Sequence, residues 1–201
     1  MDKGTLFTQV DLQRFRDLIM ARSGLFFAEN KYQMLRRGLN EAFEASSCKN
    51  LDEYFRLLQA SLSSHAEWER LVSLLTVGET YFFRNKAHFD VLAEQILPEI
   101  ITQRQNGGRR IRIWSAGCAT GEEPYSIAML LRDLIPDIQT WSVLILATDI
   151  NRTVLRSARE GSYGAWSFRG VDKRVQSRYF QRNGDGRYHI ADEIKRMVTF
   201  D

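Results

Sequence analysis

The sequence is poor in the residues that staple a chain, bind metals or break helices. Its 201 residues include 2 cysteines, 3 histidines and 3 prolines. Cys48 and Cys118 lie far apart and form no metal-spaced pair, and His65, His88 and His189 are equally scattered. The chain is therefore read as reduced and cytoplasmic, with no structural metal. With 13 glycines it is neither collagen-like nor of low complexity. No stretch approaches the roughly 18 apolar residues that a membrane span needs. Met1 to Val10 carries Asp2 and Lys3 and lacks the apolar core of a signal peptide. No membrane insertion is expected. A strong charge of either sign is also missing: the formal net charge is +3, which predicts no nucleic-acid partner without a clustered stripe.

What is present is the balance of a globular protein, 44% hydrophobic, 26% charged and 11% aromatic. The length suits one large domain or two modest ones. Residues 1–75 read as a small all-α bundle. Thr8 is placed to cap a helix in which Leu12, Phe15, Leu18 and Ile19 return on one face. Tyr32, Leu35, Leu39 and Phe43 make a second stripe, Leu51, Tyr54, Phe55 and Leu58 a third. A fourth, Trp68, Leu71, Val72 and Leu75, is entered from Ser63 or Ser64. Over residues 1–77 basic and acidic side chains balance at ten each, but Lys31, Arg36 and Arg37 cluster. They form either a docking face for an acidic helical partner or an ordinary solvated helix face.

Residues 76–108 read as a linker and a long helix from Lys86 to Gln105, which Pro98 should kink or divide. The pattern changes at 109. Ile111–Trp114 is a short strand, then a turn through Gly117 and Gly121, then a helix opened by Glu122, Glu123 and Pro124. Val143–Ala147 is a second strand, apolar throughout as if covered on both faces, and Asp149 follows its end. Strand–helix–strand–helix order predicts parallel pairing in a doubly wound α/β domain over 109–201. A hairpin across Asn183–Gly186, with strands at Tyr188–Ile190 and Met197–Phe200, predicts a small antiparallel β subdomain at about 178–201.

A strand, a glycine turn and a helix start bring backbone N–H groups close to a ligand. An acid at the end of the next strand can accept hydrogen bonds from ribose hydroxyls. The spacing Gly117-x-x-x-Gly121 is neither GxGxxG nor a phosphate loop. Glu122 and Glu123 would repel a pyrophosphate and suit a cationic ligand, or else simply stabilise the helix dipole. S-adenosylmethionine combines a ribose, an ammonium and a sulfonium. Upstream, Thr80-Tyr-Phe-Phe-Arg84 fits neither an amphipathic helix nor an alternating strand. Phe82 and Phe83 read as packing residues, and Arg84 as a group that can hold a carboxylate.

The run Ile113-Trp-Ser-Ala-Gly-Cys-Ala-Thr-Gly-Glu-Glu-Pro-Tyr-Ser-Ile-Ala128, with Thr80–Arg84 upstream, resembles the CheR-type chemotaxis receptor methyltransferases. The likeness extends over the whole chain. It implies methyl transfer from S-adenosylmethionine to glutamates on the cytoplasmic domain of chemoreceptors, leaving S-adenosylhomocysteine. Carried across residue by residue, Thr80 and Arg84 line the cofactor and methyl-transfer site, Glu123 is the acid near the methionine moiety and Asp149 the acid that holds the ribose; with Gly117 and Gly121 of the turn they make the expected cofactor site. Arg84 is the expected catalytic residue, and Lys31, Arg36 and Arg37 the expected partner-binding group. Gly78 stands where some relatives have a polar contact, and Cys118 where the family places small residues. Further sheet strands are expected beyond Asp201, so the chain reads as truncated. The alternative is a non-catalytic docking module that retains the fold.

Overall fold

Thr8 starts the first helix, α1 (Gln9–Ser23), through a reciprocal cap. Its hydroxyl accepts the Asp11 N–H at 3.2 Å, and the Asp11 carboxylate accepts the Thr8 N–H at 2.9 Å. The structure, a computed structural model, describes residues 7–60, 65–184 and 186–201. It divides into two compact units, 1–77 and 78–201.

In the first unit α1 is followed by α2 (Tyr32–Glu44), α3 (Leu51–Gln59) and α4 (His65–Leu75). The expected entry to α4 at Ser63 or Ser64 lies outside the described residues. Leu12, Phe15, Ile19, Leu35, Leu39, Tyr54, Leu58 and Leu71 are buried together, the faces that helical periodicity marks. Gly38 lets α2 approach α4: a Cβ there would come within 2.7 Å of the Leu75 side chain.

The second unit begins with helical residues α5 (Lys86–Val91), a single π-helical turn (Leu92–Ile96) and α6 (Leu97–Gln105). The helix is thus divided just before Pro98, which sits in the first turn of α6. Proline has no N–H and its ring crowds the carbonyl four residues back. The widened turn, closed by Leu97 N–H to the Leu92 carbonyl, accommodates it. Then come β1 (Arg110–Ala116), α7 (Glu122–Leu134), β2 (Ser142–Thr148), α8 (Arg152–Glu160) and β3 (Ser162–Tyr163). After these follow α9 (Lys173–Tyr179), β4 (Phe180–Arg182), β5 (Tyr188–Ile190), α10 (Asp192–Lys195) and β6 (Val198–Phe200).

Two sheets result. One is parallel, in the order β1-β2-β6, with Ile113 opposite Ile145 and Ile145 opposite Val198. The other is antiparallel, in the order β3-β5-β4. This corrects the expected subdomain of 178–201. The segment 198–200 leaves it to become the third parallel strand, and Ser162–Tyr163 takes the free side of β5. Of the hairpin turn, Asp185 lies outside the described residues. The segment 76–108 contributes Phe82, Phe89 and Leu97 to the core of this unit, and Phe82 and Phe83 pack as expected.

The expectation that β2 is covered on both faces also fails. Leu144 and Leu146 face outward beside Arg112 and Trp114, and Trp114 is 68% exposed. The reason is topological. The strands step in one direction across the sheet, β1 to β2 to β6, and right-handed crossovers, the rule for parallel strands, then put their connecting helices on one face.

Candidate functional site

The turn between β1 and α7 is built on the carboxyl end of β2. The Thr148 carbonyl accepts the Gly117 and Cys118 N–H groups at 2.8 and 3.0 Å. Asp149 closes it with both oxygens, Oδ2 accepting the Ala119 N–H at 2.9 Å and Oδ1 the Asn151 N–H at 2.8 Å. Asn151 in turn caps α8, its side chain accepting the Thr153 N–H at 3.0 Å. Ala119 sits at φ +47°, a conformation that costs an L residue about 1–2 kcal/mol. The charge-assisted bond from its N–H to Asp149 offsets that cost.

The two glycines do different work. Gly117 has φ +72°, and nothing lies within 4 Å of where a Cβ would project. Gly121 has φ +93°, and a Cβ there would meet Ala158, Phe200 and the Tyr163 hydroxyl at 3.1–3.2 Å. Gly117 therefore borders open space, while Gly121 faces the packed interior.

The acidic pair is split in the same way. Glu122 is buried, its carboxylate accepting the Thr120 hydroxyl at 2.6 Å and the Ser167 hydroxyl at 3.0 Å. Glu123 is exposed, and its Oε1 accepts the hydroxyl of buried Ser115 at 2.6 Å. Glu122 is structural; Glu123 is held in place but open to a ligand.

Arg84 is displayed by an irregular segment. Phe82 is locked in a cage of Tyr163, Phe168 and Phe180, with ring centroids 4.8–5.1 Å apart. Burying such a ring contributes about 2–3 kcal/mol. Phe83 and Asn85, on either side of Arg84, have φ of +57° and +61°. The Arg84 guanidinium donates to the Glu79 carbonyl and lies 6.0 Å from the centroid of the Tyr81 ring. Arg84, Asn85, His88, Phe89, Leu92, Glu123 and Ile127 line a cavity of about 340 Å³. The expected catalytic arginine and the expected cofactor acid thus share one cavity. Thr80, which is half-buried, and Gly117, Gly121 and Asp149 lie outside its lining.

Sequence reasoning missed Ser115, Asn85 and His88. Ser115 carried a signal, a lone hydroxyl in the inward register of β1 just ahead of the acidic pair. Asn85 carried another, since asparagine tolerates the left-handed region. His88 shows no sequence signal beyond its place one turn past Arg84. Cys118 is buried, and burial together with nearby Asp149 pushes its thiol up to about 12. It stays neutral and packs, as its place among small residues implies.

In the first unit, Arg36 and Arg37 line a shallow concavity of about 490 Å³ with Gln33, Asn40, Glu41 and Glu44. Lys31 is exposed but outside that lining, and two glutamates make the surface mixed rather than purely basic.

Two family models match the chain. Residues 10–76 match the CheR methyltransferase all-alpha domain, and residues 78–201 the CheR methyltransferase SAM binding domain. The chain belongs to the CheR methyltransferase family. It is 33% identical over 195 residues to chemotaxis protein methyltransferase 2 of Vibrio cholerae, covering 97% of this chain and 67% of that protein. It is also 33% identical to the chemotaxis protein methyltransferase of Borreliella burgdorferi, covering 96% and 69%. To that of Escherichia coli K12 it is 31% identical, covering 100% and 68%. The glycine turn, Glu123, Asp149 and Arg84 all lie within the CheR SAM-binding domain. Among the described residues no helix is long and apolar enough to cross a membrane.

Proposed function

We propose that the chain is a protein-glutamate O-methyltransferase of sensory adaptation, acting in the cytoplasm on the cytoplasmic domain of chemoreceptors. The single observation that carries this reading is the cavity shared by Arg84 and Glu123. The donor set fits S-adenosylmethionine. The exposed Glu123 carboxylate suits its ammonium or sulfonium, and Asp149, at the strand end, suits its ribose hydroxyls. The open space at Gly117 admits it to the backbone. Gly121 supports the turn from inside. Thr80 and Arg84 complete the set on the family pattern. When bound, the cofactor supplies an electrophilic methyl group on a positively charged sulfur.

The chain's own task is positioning. A glutamate side chain has a pKa near 4.3 and is already ionised at neutral pH, so no general base is required. Arg84 can hold that carboxylate with two parallel N–H bonds and fix its direction. Phe89, Leu92 and Ile127 line the same cavity with apolar surface that limits water, which favours a step in which opposite charges meet. Lys31, Arg36 and Arg37 are proposed to meet the acidic face of the receptor helices.

The test is transfer of labelled methyl from S-adenosylmethionine to receptor cytoplasmic domain, followed by release as methanol in mild base. Arg84→Ala, assayed at saturating S-adenosylmethionine so that a weaker hold on the cofactor is made good, should lower transfer by about 100-fold, the loss of one charge-assisted positioning contact. Full transfer by Arg84→Ala would refute its role. Cofactor binding without any transfer by the native chain would favour a docking module that keeps the fold.

A further inference from the structure

We infer that Ser126 is a positioning residue for Arg84, its hydroxyl fastening the irregular segment to the helix that carries Glu123. This rests on the reading that Arg84 and Glu123 share the methyl-transfer site. Ser126 is fully buried on α7. Its Oγ–H donates to the Glu122 carbonyl at 2.7 Å, the usual bond of a mid-helix serine to the residue four back. The same oxygen accepts the Phe83 N–H at 3.0 Å, from 43 residues earlier in the chain.

That second bond falls where the backbone needs it. Phe83 and Asn85 both occupy the left-handed region, at a cost of about 1–2 kcal/mol each. A segment that departs from its preferred conformation twice in three residues holds its shape only if its polar groups are pinned. Phe82 N–H donates to the Ser167 carbonyl at 3.0 Å, and Phe83 N–H to Ser126. Both anchors return to one residue. Ser126 donates to the Glu122 carbonyl, and the Ser167 hydroxyl donates to the Glu122 carboxylate at 3.0 Å. Glu122, Ser126, Phe83, Phe82 and Ser167 thus form a closed circuit, with Arg84 leaving it on one side and Glu123 on the other. Without the Ser126 hydroxyl the Phe83 N–H loses its acceptor and the direction of Arg84 is no longer fixed relative to Glu123.

The experiment compares the native chain with Ser126→Ala and Ser126→Cys. Amide hydrogen exchange at Phe83 should rise about tenfold in Ser126→Ala, the equivalent of one net hydrogen bond, with α7 unchanged. Ser126→Cys, a weak acceptor of similar shape, should fall between and covers the case of an alanine variant that folds poorly. S-adenosylhomocysteine affinity should stay within about threefold, while kcat falls about tenfold at a nearly constant KM for the receptor fragment. In combination with Arg84→Lys, the two losses should be less than multiplicative, because both act through one guanidinium. Unchanged Phe83 exchange, fully multiplicative losses, or cofactor affinity falling in step with kcat would each overturn the assignment. A native chain that transfers no methyl refutes the proposed function instead, and the Phe83 exchange rate still decides whether the bond to Ser126 holds the segment.

Discussion

Replacing Gly121 by alanine tests whether the turn is shaped by packing as well as by backbone freedom. At φ +93° an L residue costs about 1–2 kcal/mol. The added methyl would also meet the Ala158 Cβ, the Phe200 ring and the Tyr163 hydroxyl at 3.1–3.2 Å. None of these is a loose end. Tyr163 is bound to the Thr120 carbonyl at 2.9 Å, and Phe200 stands in β6 against Tyr125. Overpacking of this kind adds about 1–3 kcal/mol, so the total is about 2–5 kcal/mol. At about 4 °C per kcal/mol for a unit of this size, the calorimetric Tm of the second unit should fall by about 8–20 °C. Gly117→Ala is the control in the same turn. Its φ of +72° carries the conformational cost alone, since the space beside it is open, and a fall of about 4–8 °C is expected. Cofactor affinity should suffer in Gly117→Ala, because the methyl enters the space assigned to the ligand. Equal shifts in Tm for the two variants would refute the division of labour between the glycines.

Two further outcomes follow from buried groups at the site. Glu122→Ala should destabilise the second unit by about 2–4 kcal/mol in a urea titration, because the Thr120 and Ser167 hydroxyls lose their acceptor; Glu123→Ala, which deprives only the Ser115 hydroxyl, should cost about half as much while weakening cofactor binding. For Cys118 the folded thiol is pushed up to about 12 from an ordinary value of 9.0. The unfolded chain therefore gives up this proton first, and the stability tied to it is complete below pH 9 and lost as pH climbs toward 12. A thiol reagent at pH 8 should label Cys48 in the folded protein and reach Cys118 only on unfolding.

The helices of the first unit were legible because each rests on a local code. Thr8 is a cap, and Leu12, Phe15, Leu35, Leu39, Tyr54 and Leu58 recur at the helical period. The β1–α7 turn was legible for the same reason, with its glycines and acids in a run of seven residues. The destination of residues 198–200 was not. Three residues of β pattern pair equally well with either sheet, and the choice is made by the α10 turn and by Ile145 opposite Val198. The bare face of β2 was hidden because an apolar strand reads the same whether or not its outer side is covered. At the site, the acidic pair showed as two equivalent glutamates. Only the hydroxyls of Thr120, Ser167 and Ser115, two of them remote in sequence from the carboxylate they bind or on another element, separate the buried one from the open one. The φ values of Phe83 and Asn85 had no sequence code beyond the asparagine itself.

The π turn at Leu92–Ile96 takes up one residue of chain length without a change of phase. Phe89 and Leu92 line the Arg84 cavity from one half of the helical run, and Leu97 enters the core from the other. One residue corresponds to about 100° of rotation in an α-helix. Deleting one residue between 92 and 96 would close the ladder with ordinary i to i−4 bonds between the groups that now meet across the wide turn, so the second half would keep its phase and Leu97 its place in the core; what is lost is the room that Pro98 takes. The same deletion inside the regular stretch of α6 would turn everything beyond it by that angle. The wide turn is slack in the run, and a change of residue count should be tolerated far better there than in the regular helix on either side.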